Sequence, residues 1–178
     1  MRRRCFSARI ALLVLYVLFA AGGSAVAREY ALKAAFLFNF CQFVEWPGTA
    51  FPTPNSPLII GVIGADPFGG TLAETIEGEV IRGRPIRMER YRRPEDARNC
   101  HVLFIAESER HRIPTILSPL RGTNVLTVGE SETFLRLGGM IALIADQNRV
   151  RLQINPTVAK SAHLDLSSKL LRVAKIYP

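Results

Sequence analysis

Hydrophobic and polar positions fall into blocks whose period changes along the chain. Arg28 to Trp46 holds no Gly or Pro until Trp46-Pro47-Gly48 stops it, which predicts a helix over 28–46. Its apolar positions, among them Leu32, Phe36, Leu37, Phe40, Cys41, Phe43 and Val44, cover an arc of about 200°, twice the stripe a surface helix needs. A helix that wide in apolar surface should contact its own core and something else. After the proline-rich stretch 51–57, Leu58 to Gly64 (LIIGVIG) is a continuous apolar run, the pattern of a strand covered on both faces. Asp66-Pro67 then supplies an N-cap and a first-turn proline for a helix over Phe68 to Glu77.

The second half repeats this alternation. Gly78 to Gly83 reads as a turn, Pro85 to Tyr91 as a strand, Pro94 to Arg98 as a short helical turn, and Cys100 to Ala106 (CHVLFIA) as the central strand. Arg112 to Leu120 is a helix with Pro114 in its first turn, Asn124 to Val128 a buried strand, and Glu132 to Leu137 a short helix. Met140 to Ala145 and Val150 to Ile154 flank the polar turn Asp146-Gln147-Asn148 as a β-hairpin, and Pro156 to Ala162 and Ser167 to Ile176 close the chain as helices. The predicted fold class is α/β: a single domain with a mixed, mostly parallel sheet, helices on both faces, and a C-terminal β-hairpin followed by helices.

The N-terminus changes how the composition is read. Arg2, Arg3, Arg4 and Arg9 precede the uncharged run 10–21 (IALLVLYVLFAA), and Ala25-Val26-Ala27 follows as an A-x-A site, so residues 1–27 read as a secretory signal peptide and 28–178 as the exported domain. A retained anchor is the alternative, but twelve residues cross only about 18 Å against a bilayer core of roughly 30 Å. Removing the signal lowers the formal charge from +8 to about +4, an ordinary solubility charge and not a nucleic-acid footprint. The basic run from Arg82 to Arg93 is offset by Glu89, Glu95 and Asp96 and reads as a solvated strand face. No second apolar segment reaches 18 residues, so the exported domain should carry no membrane span.

Candidate chemistry is sparse. Gly61-x-x-Gly64 before Asp66-Pro67 joins a strand to a helix but matches neither G-x-G-x-x-G nor a P-loop, and a tight turn is the reading. His101, His111 and His163 lack metal-ligand spacing, Cys100 and His101 point to opposite faces of a strand, and no G-x-S-x-G elbow is present. No enzyme, metal or cofactor is predicted. Lys33 lies near the centre of the apolar arc, where an unpaired charge is costly. Either it snorkels or pairs with a carboxylate, or it marks a partner or ligand contact beside Phe36, Phe40, Phe43 and Trp46. Cys41 and Cys100 are expected to be buried free thiols; a disulfide between them, closing a loop of about 60 residues and worth roughly 4 kcal/mol, is the less favoured alternative.

Several segments together resemble the YfiR family of small periplasmic proteins: Tyr30-Ala-Leu-Lys-Ala-Ala-Phe-Leu-Phe-Asn-Phe40, Phe43-Val-Glu-Trp-Pro47, Gly64 to Phe68, Cys100 to Ile105, Gly138-Gly-Met-Ile141, Val150 to Asn155 and Ser168-Lys-Leu-Leu171. The resemblance implies a non-enzymatic regulator that binds the periplasmic sensing part of an inner-membrane diguanylate cyclase of the YfiN type, or a related receptor, and represses cyclic di-GMP signalling and biofilm formation. A homodimer through the first helix is a further expectation. Redox-sensitive members are associated with cysteine pairs, one of them late in the chain; only Cys41 and Cys100 follow residue 27 here, so a late disulfide is impossible. The rival class is a periplasmic small-molecule binding module serving a transporter or receptor, since strand C-termini of open α/β sheets form ligand crevices.

Overall fold

The computed structural model describes residues 25–147 and 149–178, so the stretch 1–27 read as a signal peptide lies outside the described residues except for 25–27. Helix α1, described over residues 25–43, opens the described fold and runs into a two-residue strand, β1 (Val44–Glu45). The main sheet follows: β2 (Leu58–Ile63), β3 (Val80–Ile81), β4 (Arg84–Tyr91), β5 (Val102–Ile105), β6 (Leu126–Gly129), β7 (Ile141–Asp146) and β8 (Arg149–Ile154). Between and after them lie α2 (Thr71–Ile76), α3 (Ile113–Leu117), α4 (Glu132–Arg136), α5 (Pro156–Ser161), β9 (Asp165–Leu166), α6 (Ser168–Val173) and β10 (Lys175–Ile176).

The eight-stranded sheet has the order β10-β8-β7-β6-β5-β2-β4-β3. Strands β4, β2, β5, β6 and β7 are parallel, β8 returns antiparallel to β7, and β3 pairs antiparallel with β4. The apolar runs LIIGVI and VLFI occupy the centre because each side chain there meets helix on one face or the other. Ile60, Val62, Val102 and Phe104 pack with α1, α2, α5 and α6 in one core layer. Ile63, Leu103 and Ile105 pack with α3, α4 and the 3-10 turns around them in the second. This is the mixed α/β domain that the pattern predicts.

Where the prediction differs, pairing between distant segments has overridden local propensity. The first helix ends at residue 43, because Val44 and Glu45 pair antiparallel with Leu166 and Asp165 across more than a hundred residues. The last helix ends at Val173, where Ala174 turns extended (φ −99°, ψ 149°) and Lys175–Ile176 add parallel to β8. The 78–83 turn contains β3, folded onto β4 by Arg82 (φ 52°) and Gly83 (φ 78°), the paired positive φ of a two-residue hairpin turn. At the end of β6, a Cβ on Gly129 would stand 2.5 Å from the Phe134 ring, so that close approach requires glycine.

Candidate functional site

The strand order reverses between β2 and β5, since the chain moves outward from β2 to β4 and then crosses back to β5. In open α/β sheets, the C-terminal ends of the strands at such a switch point form the usual ligand crevice. Here the first turns of α1 lie over that position. Lys33 is 2% exposed, and its Nζ lies 2.5 Å from Oε1 of both Glu29, one turn earlier, and Glu130, just after β6. Glu130 Oε1 also accepts from the Tyr30 hydroxyl at 3.1 Å, and its Oε2 accepts from the Glu107 backbone N–H at 2.8 Å, just past the end of β5. The Lys33 ammonium stands 4.5 Å from the Tyr30 ring centroid.

Two of these contacts, from Lys33 and Tyr30 to Glu130, tie α1 to the end of β6, and the Glu107 N–H ties Glu130 to the end of β5. Burial, followed by the charge and hydrogen bond of Glu130, raises the Tyr30 hydroxyl well above the ordinary phenol range, so Tyr30 is a donor at any physiological pH. Beneath it, Tyr30 meets Phe68 edge-on at 5.6 Å and Phe68 meets Phe104 at 4.8 Å. Asp66 and Arg90 close the flank with an ion pair at 2.6 Å, and the Ser108 hydroxyl accepts from the Ala65 N–H at 2.9 Å. The crevice position is thus filled by the chain's own helix, aromatic below and ionic above. Lys33 is paired, which is the bland alternative that its place on the apolar arc left open.

The other predicted contact residues do not gather around Lys33. Phe40 is wholly buried and cannot touch a partner without unfolding; Phe36 leans on it at 6.2 Å between centroids, and Phe36 and Phe43 are half-buried against the same core layer. The wide apolar arc of α1 is largely absorbed by the sheet and its neighbouring helices. Trp46 lies thirteen positions beyond Lys33, past the end of α1 and at the N-terminal ends of β2 and β5; along a helix alone that separation is roughly 20 Å.

Trp46 belongs to a second cluster. His101 is 2% exposed; its ring stacks on Phe51 at 4.4 Å and meets Trp46 edge-on at 5.9 Å. Its Nδ1 accepts the Ile59 backbone N–H at 3.0 Å, so the neutral ring carries its proton on Nε2, which is buried without a hydrogen-bond partner, as is Trp46 Nε1. The Arg84 guanidinium lies 3.7 Å over the far ring, Phe51. Burial pushes the imidazole from 6.5 down to about 4; the Ala50 carbonyl pulls the other way without forming a hydrogen bond, and the Arg84 charge adds to the depression.

Both described cysteines are free and buried. Cys41 sits in the α1 layer and Cys100 in the layer across the sheet. Burial raises both thiols far above the ordinary range. Among the described residues, no group of three or more His, Cys, Asp or Glu side chains could hold a metal ion, and no helix is long and apolar enough to cross a membrane. Sequence reasoning missed Glu130, the hub of the first cluster, because nothing local marks a carboxylate as the partner of a lysine 97 positions away.

Two solved structures share the fold at low identity. An ABC domain from Streptococcus pneumoniae, described as in complex with L-Trp, aligns with a TM-score of 0.50 at 10% identity over 67% of this chain and 55% of that one. A conserved domain protein from Vibrio cholerae O1 biovar El Tor aligns with a TM-score of 0.50 at 12% identity over 66% of this chain and 54% of that one. The chain therefore spans little more than half of either structure. No curated protein matches its sequence. The family described as YfiR/HmsC-like matches residues 30–175, from within the first helix to the start of the last strand, and the chain belongs to that family.

Proposed function

We propose that this protein is an exported, non-catalytic regulator that binds the periplasmic part of an inner-membrane diguanylate cyclase and holds it in its inactive state, lowering cyclic di-GMP in the cytoplasm. The observation that carries this reading is the family match across residues 30–175, which takes in the His101 cluster, the Lys33 cluster apart from Glu29, and strands β2 to β8 of the main sheet. The switch-point crevice supports it, because the position where such folds take a small substrate is filled by Tyr30, Lys33 and Phe68 of the chain itself. Regulation then works as a population shift: the protein biases the cyclase by the difference in its affinity for the two cyclase states. Export follows from the signal peptide read over 1–27. Deleting the gene should raise cyclic di-GMP and surface attachment in cells that express the cyclase; unchanged nucleotide levels there would refute the repressor role.

A small-molecule binding module is the second reading, favoured by one observation: the Streptococcus pneumoniae fold neighbour is described as in complex with L-Trp. A groove of about 530 Å³ between the outer face of α1 (Leu32, Ala35) and the β8 residues Arg149 and Val150 has the size for such a ligand. Calorimetry of the purified protein against free amino acids separates the two readings, since saturable binding supports the second.

A further inference from the structure

The sheet ends on one side in a strand that is covered for only part of its length. β3 pairs with β4 at Arg84 and Pro85, and the last contact is the Ile86 N–H donating to the Glu79 carbonyl at 3.2 Å. Backbone groups alternate sides along a strand, so Met88 and Arg90, in phase with Ile86, also aim their N–H and C=O groups outward. Groups of the opposite phase serve the β2 ladder, which runs from Ile86 to Tyr91. Among the described residues, no backbone group bonds to the outward side of Met88 or Arg90. An edge of this kind is a template for another strand.

Proteins commonly guard such edges with charge, and the arginines of this segment fit that role. The guard is net positive, with one exposed carboxylate, Glu89, between its arginines. Arg90 is bound to Asp66 and Arg93 to Asp96, whereas Arg87 and Arg92 are exposed and have no carboxylate partner among the described residues. A second copy of this chain is a poor occupant. Antiparallel self-pairing centred on the free stretch sets Glu89 opposite its own copy and gathers the arginines of both copies along one seam, and like charges placed opposite each other destabilise a ladder. A strand that sets carboxylates beside Arg87 and Arg92 and an uncharged residue opposite Glu89 meets no such penalty.

We propose that the outer edge of β4, residues 87–91, docks an extended acidic segment of a partner protein as an added strand, with the backbone of Met88 and Arg90 forming the ladder and Arg87 and Arg92 selecting for carboxylates. This deepens the regulator role and rests on it for the identity of the strand; the edge itself can be probed without knowing the partner. The purified protein is titrated with a peptide whose Glu residues are separated by three uncharged residues, so that carboxylates flank Glu89 without facing it, and separately with the same peptide carrying Lys in place of Glu, while amide hydrogen exchange is followed. The acidic peptide should slow exchange at Met88 and Arg90, and the basic peptide should not.

Met88→Pro deletes an outward donor while leaving the β2 ladder, an edge change that sheets tolerate, and should weaken peptide binding roughly tenfold or more. Arg87→Glu with Arg92→Glu supplies a variant that keeps the backbone intact and should reverse the peptide preference. Equal protection by both peptides, binding with no protection of these two amides, or undiminished binding by folded Met88→Pro or by the charge-reversed variant would each overturn the proposal. If the peptide docks as described but the cyclase does not bind, the regulator role fails and the edge stands.

Discussion

Acidification should destabilise this protein through the buried imidazole of His101. In the folded state the imidazole is held neutral, with a pKa near 4, by burial between Phe51 and Trp46 and by the Arg84 charge; in the unfolded chain it titrates near 6.5. Between those values the unfolded state binds more protons, so stability rises with pH. The contribution is fully present above about pH 6.5 and is lost as pH falls toward 4. The gap corresponds to a maximum of about 3 kcal/mol, a large share of the 5–15 kcal/mol typical of a domain.

His101→Phe isolates that term. The ring stack on Phe51 survives, but the Ile59 N–H loses its acceptor, which should cost about 1–3 kcal/mol at pH 7. Urea unfolding of both proteins from pH 7.5 to 4, followed by far-UV circular dichroism, reads the difference. The wild-type advantage should shrink as pH falls through 6 and 5 and vanish or reverse near pH 4, because the wild type loses up to about 3 kcal/mol while His101→Phe has no proton to bind. A difference that stays constant over the whole range would refute the reasoning, since it would mean that the folded and unfolded imidazoles titrate alike.

Other consequences follow from the two core layers and the ionic tie. Lys33→Met strands the Glu130 carboxylate in a site that is 6% exposed and should cost about 3–5 kcal/mol by denaturant unfolding, while Lys33→Met combined with Glu130→Gln should recover much of that loss; equal losses in the single and double variants would show that the pair is not coupled. Phe40→Ala, in the same layer, should cost about 3–5 kcal/mol by the same assay, and a cost under about 1 kcal/mol would mean that Phe40 is not core. Native alkylation should leave Cys41 and Cys100 unlabelled, and alkylation in denaturant without reductant should label both; no label after denaturation would establish a disulfide that the placement of the two thiols in separate layers opposes.

The sequence makes the sheet legible because its strands are short apolar runs closed by turn chemistry. LIIGVI before Asp66, VLFI after His101, and the 141–154 hairpin each fall within a few residues of the observed elements. The two-residue strands are not legible, since β1, β9 and β10 owe their conformation to partners across the chain and not to their own side chains. Lys33 shows the same boundary within the site. Its anomaly on the apolar arc is visible at once, whereas the answer, Glu130, depends on where β6 ends in space. Phe40 and Trp46 share a segment with Lys33 yet serve the central core and the opposite end of the sheet, because helix α1 connects the two ends.

The central claim is repression of a membrane diguanylate cyclase from the periplasmic side. Its most direct test is cyclic di-GMP synthesis by the full-length cyclase of the same cell, reconstituted in lipid vesicles, with this protein supplied only to the face that carries the sensing domain. The account predicts that synthesis falls in a saturable manner as the protein is added, at concentrations of about a micromolar dissociation constant or tighter. Undiminished synthesis at saturating protein, with the cyclase shown to be active and correctly oriented, would contradict it.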